Sequence, residues 1–323
     1  MRAIVVTRFG GPEVLELQDR PSPQPAPGEV LVDVHVAGVN FRDVYERRSP
    51  GYGPGEPPFL AGIEGAGVVA AAGDGAAGLS PGDRVVWSSA NGSYAEQVTV
   101  AADRAVRVPD GVQLDVACAV ILQGMTAHYL THSVYEVREG DWVLNHAAAG
   151  GVGLLVTQLA KRRGARVIGT TSTEEKARLA AEAGADVVVR YEDVPEKVME
   201  LTDGEGVAAA YDGVGKTTFD GSLASLRTRG MLALYGAASG QPEPLDLTRL
   251  APKSLFVTRP GLPRYIATPE ELAWRAGDVL GWVADGTLQV RIGRVYPLAD
   301  ARRAQEDLEA RRTTGKLLLE VRS

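Results

Sequence analysis

Cysteine is nearly missing from this chain: Cys118 stands alone among 323 residues. A single thiol closes no intramolecular disulfide and builds no cysteine-rich zinc loop. Long apolar runs are missing too, since none approaches the roughly 18 residues of a membrane span. Met1-Arg2-Ala3-Ile4-Val5-Val6 soon meets Arg8 and Gly10, too short an apolar stretch for a signal peptide. A cytoplasmic location with no membrane partner is therefore expected. Positive charge is in deficit, with 34 Lys and Arg against 41 Asp and Glu, a net charge of −7. That balance favours solubility and gives no footprint for a nucleic acid. What remains is an ordinary globular composition, long enough for two domains and a sizeable core.

The most informative stretch is Asn145-His146-Ala147-Ala148-Ala149-Gly150-Gly151-Val152-Gly153. Before it, Asp141-Trp142-Val143-Leu144 has the length of a buried parallel strand. After it, Leu154–Lys161 continues helically until Gly164. Strand, glycine turn and helix are the context that a dinucleotide fingerprint requires. The usual first glycine is replaced by Ala148, leaving Gly150 and Gly153. Gly150 clears room for a pyrophosphate at the backbone, and Gly153 allows close helix–strand packing. The helix start, from Ala149 through Gly150, Gly151 and Val152, offers unpaired N–H groups to the phosphates.

Up to about residue 120 the chain reads as short strands at Ala3–Thr7, Val14–Gln18, Val30–Val39, Ala66–Ala71, Arg84–Ser88 and Ala95–Val100. These suggest a compact, partly closed barrel. The proline-rich run 21–28 cannot be helical, and the glycine- and proline-rich loop 49–58 surrounds Tyr52. A helix over Val116–Tyr129 follows. Strands then alternate with helices at 142–147, 166–171, 186–190, 207–212, 231–235 and 254–258, the pattern of a doubly wound parallel sheet of six strands. A helix at Pro269–Ala284, a strand at Val290–Tyr296, a helix at Ala299–Arg311 and a strand at Leu317–Val321 close the chain. The expected domains are 1–121 with 260–323, and 122–259 as an inserted nucleotide-binding domain.

The segments Gly38–Asp43, Pro81–Val85, Gln123–Ala127, His146–Gly153, Thr258-Arg259-Pro260 and Gly315-Lys316 resemble, in order and along the whole length, the zinc-independent, zeta-crystallin-like quinone oxidoreductases of the medium-chain dehydrogenase/reductase superfamily. The resemblance implies an α/β fold with a GroES-like β-barrel domain and a Rossmann domain, an NADPH-dependent reductase, and a homodimer paired around the strand at 254–258. Zinc alcohol dehydrogenases of the superfamily carry a cysteine after the strand where this chain has Val39-Asn40, and Gly-His-Glu where it has Gly62-Ile63-Glu64. Both ligands are missing. His128 and His132 have the i, i+4 spacing of a zinc pair, but Tyr129 stands where the glutamate of that motif belongs, so helical surface or packing histidines are expected. No metal is expected, and without a Lewis acid the preferred acceptors are quinones or conjugated carbonyls.

An NAD enzyme carries an acid about twenty residues past the fingerprint. Here the second nucleotide-domain strand ends in Thr171-Ser172-Thr173, with Lys176 following and Tyr191 after the third strand. Ser172, Lys176 and Tyr191 suit a 2′-phosphate, so NADPH is expected. Glu174 and Glu175 oppose this if they face the phosphate, and Ser172 with Glu175 also forms a capping box. By resemblance, Asn40, Tyr45 and Thr126 lie near the nicotinamide. Gly236, Ser239, Phe256, Val257 and Thr258 line its other side, while Arg311, Gly315 and Lys316 close over ribose and phosphates. Phe256 and Val257 suit strand core equally well, Thr126 an ordinary helix position and Tyr45 the barrel rim.

The expected chemistry is transfer of hydride (or single electrons) to a quinone, with Tyr45 or Tyr52 as candidate proton donors. One alternative is reduction of enoyl thioesters or other activated alkenes, for which related acyl reductases use a tyrosine in the loop around Tyr52. Another is a non-catalytic NADPH-binding protein of the crystallin type.

Overall fold

Val30, Val32, Val34 and Val36 are buried while Asp33 and His35 between them stay half-exposed, which is how a strand with one face on a core reads. Each valine so buried contributes roughly 1.5–3 kcal/mol relative to exposure. The computed structural model describes residues 1–76 and 78–322. Its elements begin with β1 (Arg2–Val6), β2 (Leu15–Asp19), β3 (Glu29–Val39), α1 (Phe41–Arg48), β4 (Phe59–Leu60) and β5 (Gly65–Ala72). β6 (Arg84–Trp87), β7 (Gln97–Ala101), β8 (Val106–Arg107) and α2 (Leu114–Tyr129) follow. The middle of the chain supplies β9 (Trp142–Asn145), α3 (Gly151–Arg162), β10 (Arg166–Thr170), α4 (Glu174–Glu182), β11 (Val187–Val189), α5 (Glu196–Leu201), β12 (Val207–Asp212), α6 (Phe219–Ala224), β13 (Leu226–Leu234) and β14 (Phe256–Thr258). Last come α7 (Pro269–Ala284), β15 (Ile292–Pro297), α8 (Ala301–Glu309) and β16 (Lys316–Glu320). No helix among the described residues is long and apolar enough to cross a membrane.

Two units result, Met1–Leu122 with Ala267–Ser323, and Gln123–Ile266. In the first unit β3 is the hub. It pairs antiparallel with β5, with β7 along its first half and with β16 along its second. The chain's last strand is thereby built into the domain that its first strands begin. The core collects Ile4, Val30, Val34, Trp87, Tyr94, Val98, Leu317 and Leu319. A helix that the strand pattern hides, α1, starts directly after β3. Asp43 caps its start, its Oδ2 accepting the Asn40 N–H at 2.8 Å while the Asp43 N–H donates to the Asn40 carbonyl at 3.1 Å.

In the second unit six parallel strands run in the order β11-β10-β9-β12-β13-β14. The connections run outward in one direction from β9 and in the other from β12, so the switch point lies between those two strands. The second boundary falls at Ala267, beyond position 260. Tyr265 stacks on Tyr129 with ring centroids 4.4 Å apart, and this keeps the segment after β14 with the nucleotide unit.

Candidate functional site

β9 delivers the chain into a turn in which Ala147 takes a left-handed backbone with φ of 51°. The Gly150 N–H closes the turn on the Ala147 carbonyl at 2.8 Å. Gly150 is the N-cap of α3 and no side chain caps the helix, so its first N–H groups face outward uncapped. A Cβ on Gly153 would stand 2.3 Å from the Ala147 carbonyl oxygen and 2.9 Å from the Ala148 Cα. Only glycine lets helix and turn approach this closely. Asn145 fixes the arrangement from below, donating to the Gly153 carbonyl at 2.8 Å and to Thr157 Oγ1 at 2.9 Å.

The other expected cofactor residues of this unit follow the carboxyl ends of the same strands. Ser172 is exposed and Lys176 half-buried just past β10, and Tyr191 lies just past β11. The cap of α4 is Thr173, whose Oγ1 accepts the Lys176 N–H at 3.2 Å, so the expected capping role of Ser172 is corrected. Thr173, one residue nearer the helix, is the side chain whose oxygen meets that N–H. Gly236 and Ser239 follow β13, and Ser239 Oγ donates to the Val214 carbonyl at 2.8 Å. Thr258 ends β14 beside the half-buried Val257, which packs on the sheet core. Phe256 is 56% exposed on this outermost strand and is not core. Thr126 is buried on α2.

In the first unit the space below Asn40 is charged. Lys316 Nζ forms an ion pair with Glu64 Oε2 and donates to Asn40 Oδ1 at 2.8 Å. Asn40 Nδ2 donates to Glu64 Oε2 at 2.9 Å, and Glu64 Oε1 accepts the Leu122 N–H at 3.0 Å. All three side chains are buried. Lys316 therefore does not close over ribose and phosphates: its ammonium is held inside the unit by a carboxylate and an amide. Gly315 has a local reason to be glycine, because its φ is +61° and a Cβ would meet the Arg291 carbonyl oxygen at 2.4 Å. Arg311 is exposed, with φ of 56°. Tyr45, half-buried on α1, meets the exposed Tyr52 with ring centroids 5.6 Å apart.

Two buried networks carry residues that the strand and helix patterns do not mark. Asp43 Oδ2 accepts the Tyr94 hydroxyl at 2.6 Å and the Asn40 N–H at 2.8 Å. Burial drives the Asp43 carboxyl up to about 7 from 3.8. In the second unit His146, Ser222 and Asp212 form a hydrogen-bonded chain, and burial pulls the His146 imidazole below its usual range. The only available signal was position: Asp212 and His146 each stand at or just beyond the end of an apolar strand. Burial pushes the Cys118 thiol well up, which disfavours the thiolate. His128 and His132 stack with centroids 4.2 Å apart, and no group of three metal-ligating side chains forms among the described residues.

Residues 26–110 match the model of the alcohol dehydrogenase GroES-like domain, and residues 151–273 that of the zinc-binding dehydrogenases. A quinone oxidoreductase of Pseudomonas aeruginosa is 43% identical over 322 residues, 98% of this chain and 99% of its own. A 2-haloacrylate reductase of a Burkholderia species is 37% identical over 326 residues, 98% of both chains. Among solved structures, a mycobacterial protein complexed with NADPH superposes with a TM-score of 0.96 at 51% identity, covering 99% of this chain and 100% of its own. The quinone oxidoreductase of Escherichia coli complexed with NADPH also gives 0.96, at 38% identity and the same coverage. A fingerprint turn on a doubly wound sheet, inserted into a β-domain, agrees with these likenesses, and the chain belongs to the quinone oxidoreductase family of the medium-chain dehydrogenase/reductases.

Proposed function

We propose that this protein is an NADPH-dependent reductase that delivers hydride to quinones without a metal. The observation that carries the reading is the uncapped start of α3 beside a turn that tolerates no Cβ at Gly153, a cradle fitted to a pyrophosphate. Ala149, Gly150, Gly151 and Val152 would hold the phosphates. Ser172, Lys176 and Tyr191 would receive the 2′-phosphate, and Gly236, Ser239 and Thr258 would flank the nicotinamide. The bound dinucleotide supplies the hydride, and the chain supplies position and exclusion of water. Asn40, Tyr45 and Tyr52 are the candidate acceptor-side residues of the first unit. The test is NADPH oxidation with a panel of 1,4-benzoquinones, repeated with NADH. No turnover with either dinucleotide would remove the reading and leave a binding protein.

A second reading, reduction of activated alkenes, is supported by the exposed Tyr52 and by the kinship to a 2-haloacrylate reductase. Assaying crotonyl-CoA against 1,4-benzoquinone, in the natural protein and in Tyr52→Phe, separates the two. Loss confined to the alkene assigns Tyr52 to proton donation. A cytoplasmic homodimer completes the proposal. Its support is that β14 ends the sheet with an exposed phenylalanine, an apolar edge of the kind proteins cover. Sedimentation of the protein alone and of Phe256→Glu tests it, a monomer in both cases refuting it.

A further inference from the structure

The strongest unassigned feature is the buried polar chain of the second unit. Asp212 is the last residue of β12 and is fully buried. Its Oδ1 accepts the N–H groups of Val214 at 2.8 Å and Gly215 at 3.0 Å, and the Thr218 hydroxyl donates to the same carboxylate at 2.8 Å. The loop after β12 is thus wrapped around one carboxylate. That loop is laced in turn to the loop after β13. Ser239 gives its N–H and its hydroxyl to the Val214 carbonyl, and its Oγ accepts the Thr217 N–H at 3.1 Å. The approach at Gly236 is close enough that a Cβ would stand 2.5 Å from the Gly213 carbonyl oxygen.

On its other oxygen Asp212 accepts the Ser222 hydroxyl at 2.9 Å. The same hydroxyl lies 2.9 Å from the Thr218 carbonyl, and whichever of the two takes its proton, its oxygen can accept from His146 Nε2 at 2.9 Å when the imidazole proton is on Nε2. His146 Nδ1 is then left to accept from Thr170 Oγ1 at 2.9 Å. A neutral imidazole satisfies every link, in keeping with the direction in which burial moves it. The chain Thr170–His146–Ser222–Asp212 runs from the end of β10, past the fingerprint turn, to the end of β12. It therefore crosses the switch point between the halves of the sheet, where the two ends of a dinucleotide divide.

We infer that Asp212 is a positioning residue for the nicotinamide half of the dinucleotide, holding the loops after β12 and β13 in fixed register to the fingerprint turn. This rests on the NADPH reading above. The experiment compares the natural protein with Asp212→Asn, an isostere that removes the charge and one acceptor. Dissociation constants are measured for NADPH and for 2′,5′-ADP, which lacks the nicotinamide half, together with kcat and KM for 1,4-benzoquinone reduction. The expected result is a several-fold weaker NADPH complex and a kcat lowered about ten- to a hundredfold, the scale of a ~1 Å misplacement. Binding of 2′,5′-ADP stays within about twofold, because that ligand uses only the first half of the sheet.

Equal losses for both ligands, which a general weakening of the unit would give, overturn the inference, and so does unchanged NADPH binding and turnover. If Asp212→Asn does not fold, Ser222→Ala leaves the loop on Asp212 but cuts its link to His146. Loss of NADPH binding without loss of 2′,5′-ADP binding then supports the inference, and parallel losses or none overturn it. Failure of the natural protein to bind either ligand would sink the cofactor reading itself, an outcome distinct from all of these.

Discussion

Lys316 and Glu64 form an ion pair with both side chains almost wholly buried, and Asn40 bridges them, accepting from the ammonium and donating to the carboxylate. The pair depends on Gly38, where a Cβ would stand 2.1 Å from Glu64 Oε2. Removing one member leaves the other charge buried and uncompensated, a cost of about 3–5 kcal/mol, while removing both can be nearly neutral. Glu64→Gln and Lys316→Met are each expected to lower the unfolding free energy by about that much, and the double variant to regain most of it. Urea denaturation of the four proteins measures this. Additive losses in the double variant would show that the pair is not coupled.

The neighbouring Asp43 makes stability depend on pH. Burial raises its carboxyl to about 7 from 3.8; the Glu46 charge adds to the rise, while Tyr94, the Asn40 N–H and the Lys316 charge oppose it. A carboxyl whose folded-state pKa is raised binds its proton more tightly when folded. Its contribution is complete below the unfolded value and is lost as pH climbs through the folded one. Between about pH 4 and pH 7 this amounts to a few kcal/mol. Asp43→Asn keeps acceptors for Tyr94 and Asn40 without the titration, so its stability is expected to fall less across that window and to exceed the natural protein's at pH 8. Parallel stability curves for the two proteins, followed by denaturant titration, would contradict this.

The doubly wound sheet was legible because its signals are local. Glycine turn, short apolar strands and helix stops recur with a fixed period, and all six strands lie where that period puts them, with ends differing by a few residues. Helix α1 was not, although Asn40 and Asp43 already stand at its start, because the following Phe41-Arg42-Asp43-Val44 has no strong apolar stripe. Nor was the placement of Lys316. The resemblance sets Lys316 over the ribose and phosphates, and only the antiparallel pairing of β16 with β3 brings it to Glu64. Asp212 and His146 are 66 residues apart in sequence and are joined through Ser222 of α6, with β9 and β12 paired in parallel beside them.

Lys176 is the residue proposed to receive the 2′-phosphate, and cofactor preference tests that role. Its backbone N–H is capped by Thr173, so truncating the side chain leaves the start of α4 intact. A charge-assisted contact to a phosphate contributes roughly 1.5–3 kcal/mol, or about a ten- to hundredfold change in an equilibrium. Lys176→Ala is expected to raise the KM for NADPH by that factor and to leave the KM for NADH within about twofold. The same defect should appear in the natural protein at high salt, since exposed ion pairs are screened. Equal effects on the two dinucleotides would remove Lys176 from the 2′-phosphate site.

Gly153→Ala sets two effects against each other. Alanine is favoured over glycine within a helix by up to about 1 kcal/mol. At this position, however, its Cβ would stand 2.3 Å from the carbonyl oxygen of Ala147, a backbone atom that cannot swing aside. The turn also includes the left-handed Ala147, so it has little slack. The steric effect is expected to win. Pushing α3 away from the turn displaces the N–H groups proposed to hold the pyrophosphate, and the affinity for NADPH should fall at least about tenfold together with a lowered Tm. Titration of protein fluorescence with NADPH and a thermal scan measure both quantities. A variant with raised Tm and undiminished affinity would mean that helix propensity governs this position and that the close approach at Gly153 serves no ligand.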